Sequence, residues 1–95
     1  MLTSKQRAKL RSLANSIPAL YQIGKDGITE NTIKQFNNAL EANELIKVHV
    51  LENSLLGTRE AAEDAAKKSC AQVVQVIGNK FILYKQSENN PVIQI

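Results

Sequence analysis

The sequence predicts an α/β domain, a compact α-β-α-β-α-β-β unit with a four-stranded mixed sheet, spanning residues 1–95. Three observations predict it. Helix-like and strand-like segments alternate, and a strand–helix–strand step favours a right-handed crossover between parallel strands. Two β-branched or aromatic runs, 71–77 and 81–85, flank Gly78-Asn79-Lys80, a hairpin signal that forces one antiparallel pairing. The 95 residues, 43% hydrophobic and 4% aromatic, allow one aliphatic core and no second.

Each element has its own signal. Thr3 followed by Gln6 at the capping-box spacing opens a first helix over 4–16, with Leu10, Leu13, Ala14 and Ile17 at helical intervals. Pro18 stops it, because the residue before a proline is pushed out of the α region. Residues 19–23 read as a short strand. Thr29 caps a second helix over 30–43, with Ile33, Phe36 and Leu40 on its inner face. From Leu45 to Leu51 the pattern alternates, Ile46, Val48 and Val50 against Lys47 and His49, as in a half-buried strand. Thr58 is read as the cap of a third helix reaching Ser69, whose Ala61, Ala62, Ala65 and Ala66 permit close packing on a sheet. Its acids lie early and its lysines late, matching the helix dipole. If both crossovers run in one direction, the second and third helices share a face and the first covers another surface. Residues 86–95 form a tail, polar at first, whose last five residues either dock or fray.

Charge is unevenly placed. The net +3 divides into +5 over residues 1–25, −5 over 26–66 and +3 over 67–95. The +5 segment contains Lys5, Arg7, Lys9, Arg11 and Lys25 and no acid. An anionic partner would meet the two ends of the chain. One His and one Cys exclude a Cys-rich zinc site, a disulfide scaffold and any site needing two imidazoles. No constellation points to an enzyme, a cofactor, a metal or a small-molecule substrate. No apolar run approaches the ~20 residues of a membrane span, and no secretory h-region is present. The expectation is a cytoplasmic protein in a reducing compartment, which the unpaired Cys70 suits.

The segment Gly24-Lys25-Asp26-Gly27 is the most informative motif. It follows a strand and precedes a helix N-terminus, where backbone amides suit a phosphate oxygen. A GxxG loop of the KH type clamps nucleic-acid backbone in this way, and the same spacing also serves as a plain strand-to-helix turn. Asp26 adds a negative charge that opposes phosphate. On a helical wheel, Lys5 and Lys9 border one side of the apolar stripe and Arg7 and Arg11 the other. They frame an acid-free face that either meets a phosphate backbone or is simply solvated. His49 reads as polar strand surface and Cys70 as a small buried hydrophobe.

Several segments taken in register carry a resemblance. They are Leu2-Thr3-Ser4-Lys5-Gln6-Arg7 with Leu10-Arg11-Ser12-Leu13-Ala14, Gln22 through Glu30, Glu41 through Val48, Val74-Gln75-Val76-Ile77-Gly78, and Leu83-Tyr84. Together they span residues 2–85, and the sequence resembles the CRM-domain (YhbY-like) RNA-binding family in its stand-alone bacterial form. The resemblance implies a fold like the C-terminal domain of translation initiation factor three. It implies a non-catalytic protein that binds ribosomal RNA or precursors of the large ribosomal subunit and assists ribosome assembly. Carried over by position, RNA contacts fall on Gly24, Lys25, Asp26 and Gly27 and on Lys5, Arg7, Lys9 and Arg11. Two positions depart from the family pattern: Lys85 stands where Arg follows the Tyr, and His49 where Lys is usual. The alternative is a protein-interaction module, docking on a ribosomal protein or an RNA-processing factor through the alanine-rich helix or the tail.

Overall fold

A computed structural model describes residues 2–89 together with Pro91 and Ile93. The elements run α1 (Ser4–Ala14), β1 (Tyr21–Ile23), α2 (Glu30–Asn43), β2 (Leu45–Val50), α3 (Thr58–Ser69), β3 (Gln72–Ile77) and β4 (Lys80–Tyr84). The strand order is β1-β2-β4-β3. β1 pairs parallel with β2, and β4 pairs antiparallel with both β2 and β3. The mixed sheet and the order of elements are therefore those the sequence predicts.

Alternation along the strands creates two cores on the two faces of the sheet. On one face, Ile23, Ile46, Val48, Val50, Phe81 and Leu83 pack with Phe36, Ala39 and Leu40 of α2 and with the alanines of α3. The Tyr21 and Phe36 rings meet edge to face, 5.8 Å between centroids, tying β1 to α2. On the other face, Leu45, Val74, Ile82 and Tyr84 pack with Leu10 and Ala14 of α1. The molecule has three layers, α1, the sheet, and α2 with α3. Helices two and three share a face, as same-direction crossovers require.

The helix ends show what local sequence decides. Thr3 and Gln6 close a full capping box on α1, and Thr29 and Thr32 close one on α2. α1 ends at Ala14, two residues before the expected stop. Ahead of Pro18, Ser16 and Ile17 donate to Leu13 and Ala14, tightening the last turn into the i→i+3 form. The cap of α3 is Gly57, not Thr58, with no side-chain hydrogen bond. Cys70 is exposed, contrary to the buried placement expected for it. It is the left-handed C-cap of α3, at φ 57°, one step past the helical turn whose inner face is buried. The alanine face named above as a docking surface is likewise inside the core: Ala61, Ala62, Ala65 and Ala66 are all buried against the sheet.

Two features have no local signature. β3 carries a bulge between Val73 and Gln75, where its register with β4 shifts. The second feature joins the C-terminal segment to the end of α2. Glu44, the left-handed C-cap of α2, is 0% exposed. Its carboxylate accepts from the amides of Ser87 (2.7 Å) and Ile93 (2.6 Å). One turn earlier, Glu41 accepts from the Ser87 hydroxyl at 2.7 Å and from the Glu88 and Asn89 amides at 3.3 and 3.0 Å. The Ser87 hydroxyl first, then the two amides, hold the Glu41 carboxyl below the usual glutamate range. Burial first, then the charge of Glu44, pushes the Tyr84 phenol up. Of the tail, Asn90, Val92, Gln94 and Ile95 lie outside the described residues.

Candidate nucleic-acid interface

The 24–27 loop leaves the C-terminal end of β1. Gly27 donates its amide to the Gly24 carbonyl at 3.0 Å, closing a four-residue turn. Gly27 has φ +67°, a conformation that L side chains rarely adopt, while a Cβ there would meet nothing within 4 Å. Gly24 is different. Its φ is not positive, and a Cβ would lie 3.4 Å from Asn53 Oδ1 and 3.5 Å from Leu51 Cδ1, ordinary contact distances. The backbone thus favours glycine at 27, whereas the fold does not need Gly24 to be glycine. Lys25 and Asp26 form the exposed tip. Their amides have no internal acceptor among the described residues. The turn feeds α2, where Thr29 Oγ1 already accepts the third-residue amide, so the capping box occupies part of that terminus.

The basic residues of α1 separate into two kinds. Lys5 and Arg11 are exposed on the helix surface. Lys9 is exposed and has a partner within the chain. Arg7 is half-buried, and its Nη1 donates to the carbonyls of Val73 (2.6 Å) and Val74 (3.2 Å) at the β3 bulge. The guanidinium satisfies backbone acceptors that the bulge releases from the ladder, and clasps α1 to the sheet edge. Sequence reasoning counted Arg7 with the other cations because the bulge has no signature in residues 72–77.

The two layers differ in charge. The layer made by α1 and the sheet face beneath it carries Lys5, Arg7, Lys9, Arg11, Lys47 and Lys80 and, among the described residues, no exposed carboxylate, Glu44 being buried at its edge. The opposite layer carries Glu30, Glu41, Glu60, Glu63 and Asp64 together with Lys34, Arg59, Lys67 and Lys68 on α2 and α3. There Asp64 and Lys68 pair at 3.0 Å. His49 lies on the basic face, half-buried, with Asn79 Nδ2 donating to its Nε2 at 2.9 Å. Among the described residues no group of three or more His, Cys, Asp or Glu could hold a metal ion, and no helix is long and apolar enough to cross a membrane.

Comparison with known proteins agrees with this geometry. The solution structure of SAV1595 from Staphylococcus aureus superposes with a TM-score of 0.82, at 47% identity, over 100% of this chain and 99% of that one. The "Probable RNA-binding protein YqeI" of Bacillus subtilis is 47% identical over 95 residues, which is 100% of this chain and 99% of that protein. An "RNA-binding protein" of Haemophilus influenzae is 32% identical over 87 residues, covering 92% of this chain and 88% of that protein. The family model of the CRS1 / YhbY (CRM) domain matches residues 2–85, the stretch that holds every element of the sheet, both glycines of the turn and the whole of α1. The chain therefore belongs to the CRS1/YhbY (CRM) domain family.

Proposed function

We propose that this protein binds RNA without catalysing a reaction on it, using the 24–27 turn and the α1 side of the sheet. The observation that carries the proposal is the charge of the α1 layer: among the described residues it presents Lys5, Lys9, Arg11, Lys47 and Lys80 with no exposed carboxylate, whereas the acids of α2 and α3 are mixed with Lys34, Arg59, Lys67 and Lys68. A surface of that kind takes up phosphate backbone by releasing counterions. The open amides of Lys25 and Asp26 add hydrogen-bond donors at the same end of the sheet. The named RNA-binding relatives support the reading. Within it, the partner is ribosomal RNA or a precursor of the large ribosomal subunit, in the cytoplasm, and the role is assistance in ribosome assembly, as the family resemblance implies.

The test is a salt series with structured RNA. Affinity should fall linearly on log–log axes, and affinity independent of salt overturns the reading. Lys25→Glu should weaken binding with the fold intact. For the finer proposal, the tagged protein should co-sediment with large-subunit precursor particles on a gradient. Sedimentation only at the top overturns that part alone.

A second reading, a protein-docking module, loses the alanine face of α3 to the core. It retains one apolar groove of ≈ 460 Å³, lined by Leu13, Ile17, Pro18, Leu20 and Ile93 among others. Association with a ribosomal protein that survives nuclease and is abolished by Leu20→Glu would favour it.

A further inference from the structure

One row of residues crosses all four strands on the basic face of the sheet. Gln22 of β1 is in register with His49 of β2, His49 with Lys80 of β4, and Lys80 with Ile77 of β3. Register partners point to the same side, and alternation puts this row on the side that displays Leu45, Ile82 and Tyr84. α1 covers those three but stops short of the row. Gln22 and Lys80 are exposed, Ile77 is 52% exposed and His49 is half-buried. The row is therefore an uncovered ledge between α1 and the strand ends.

We propose that this ledge is an RNA-backbone contact surface continuous with the 24–27 turn. The inference rests on the RNA-binding reading above and extends it to Gln22, His49 and Lys80. Three observations support it. First, position: Gln22 lies two residues before Gly24, about 7 Å along extended chain, and the hairpin turn at Asn79 binds β2 through Val50 at the same end. Second, charge: among the described residues the face contains Lys47 and Lys80 and no exposed acid, with Asp26 and Glu52 on loops beyond the strand ends and Glu44 buried at the far end of β2. Third, polar chemistry: Asn79 Nδ2 lies 2.9 Å from His49 Nε2, and the other ring nitrogen, Nδ1, has no hydrogen-bond partner among the described residues. The Gln22 amide and the Lys80 ammonium supply donors. The row contains no Phe, Tyr or Trp, and its one ring, the His49 imidazole, is half-buried. The row's donors match phosphate and 2′-hydroxyl oxygens, which mark backbone recognition.

The experiment measures binding of refolded large-subunit ribosomal RNA by the full chain and three variants over a salt series. Lys80→Glu reverses the charge at the centre of the row. Gln22→Glu introduces a negative charge at its β1 end and is an independent probe should Lys80→Glu disturb the hairpin. Lys67→Glu makes the same charge change as Lys80→Glu on α3, in the opposite layer. Lys80→Glu and Gln22→Glu should each weaken binding on the order of tenfold at low salt, Lys80→Glu with a shallower salt slope, while Lys67→Glu should stay near wild type. Equal losses in all three variants, or none in the two ledge variants, overturn the ledge. If the wild type itself shows no salt-dependent binding, the RNA reading fails first and takes the ledge with it.

Discussion

Arg7 and Val73 are 66 residues apart in sequence, and the guanidinium Nη1 of one lies 2.6 Å from the carbonyl oxygen of the other. A second bond reaches Val74, so one side chain serves both carbonyls of the bulge. Hydrogen bonds to charged groups contribute about 1.5–3 kcal/mol. Arg7→Met, which keeps the apolar stem, should lower stability to urea by about that amount. It should leave the salt slope of RNA binding unchanged while the domain stays folded. Lys5→Ala and Arg11→Ala should do the reverse, with stability within about 0.5 kcal/mol of wild type and a shallower slope. A loss of slope in Arg7→Met with no loss of stability would show that the side chain works outward.

The two glycines of the turn should separate in the same way. Gly27→Ala forces an L side chain to φ +67° and should cost about 1–2 kcal/mol in denaturation. Gly24→Ala meets only ordinary contacts and should leave stability near wild type while weakening RNA binding. Asp26→Asn removes a carboxylate from the tip and should strengthen binding. Unchanged affinity in both Gly24→Ala and Asp26→Asn would reduce the turn to a connection.

Acid should loosen the segment after β4. The folded pKa of Glu41 is lowered from its ordinary value of 4.5, with the Ser87 hydroxyl the largest cause. A lowered carboxyl pKa contributes stability that is present above the ordinary value and lost as pH falls through the folded one. Protection of the Glu88 and Asn89 amides against hydrogen exchange should fall over that acidic window before the sheet amides lose theirs. In Glu44→Gln an amide faces two backbone donors in place of a buried carboxylate. That variant should lose about 1–3 kcal/mol at neutral pH, read by thermal or urea unfolding.

Cys70 should react with a thiol reagent in the native state at a rate near that of the unfolded chain, since it is exposed. Its φ of 57° also favours glycine. Cys70→Gly should leave the fold intact and stabilise it by about 1 kcal/mol. Slow native labelling would return the thiol to the core.

What the sequence made legible was local. Thr3 with Gln6 and Thr29 announced their caps because a hydroxyl and its target amide lie within one turn. The alternation of Ile46, Val48 and Val50 declared two faces of β2. Thr58 misled because a hydroxyl one position inside the helix looks like a cap, and Gly57 has no side chain to advertise the role. Cys70 misled because composition favours burial while its position past the last turn faces it outward. The roles of Arg7, Glu41 and Glu44 were not legible at all. Each depends on a hydrogen-bond partner brought close by the fold, 43 or more residues away. The candidate site divided along the same line. The turn stood out as a motif, while the Gln22–His49–Lys80–Ile77 row exists only once strand register is fixed.

The partners of α1 set an order of assembly. Its buried Leu10 and Ala14 pack on Val74, Ile82 and Tyr84, and Arg7 needs the bulge in β3. A chain emerging residue by residue presents this helix well before β3 and β4, on which it packs. Until β3 and β4 have been synthesised, the most basic segment has only Leu45 of β2 to close upon. The interface proposed for RNA therefore requires the β3–β4 hairpin, so a nascent or truncated chain without the hairpin carries the charge of α1 without the shape.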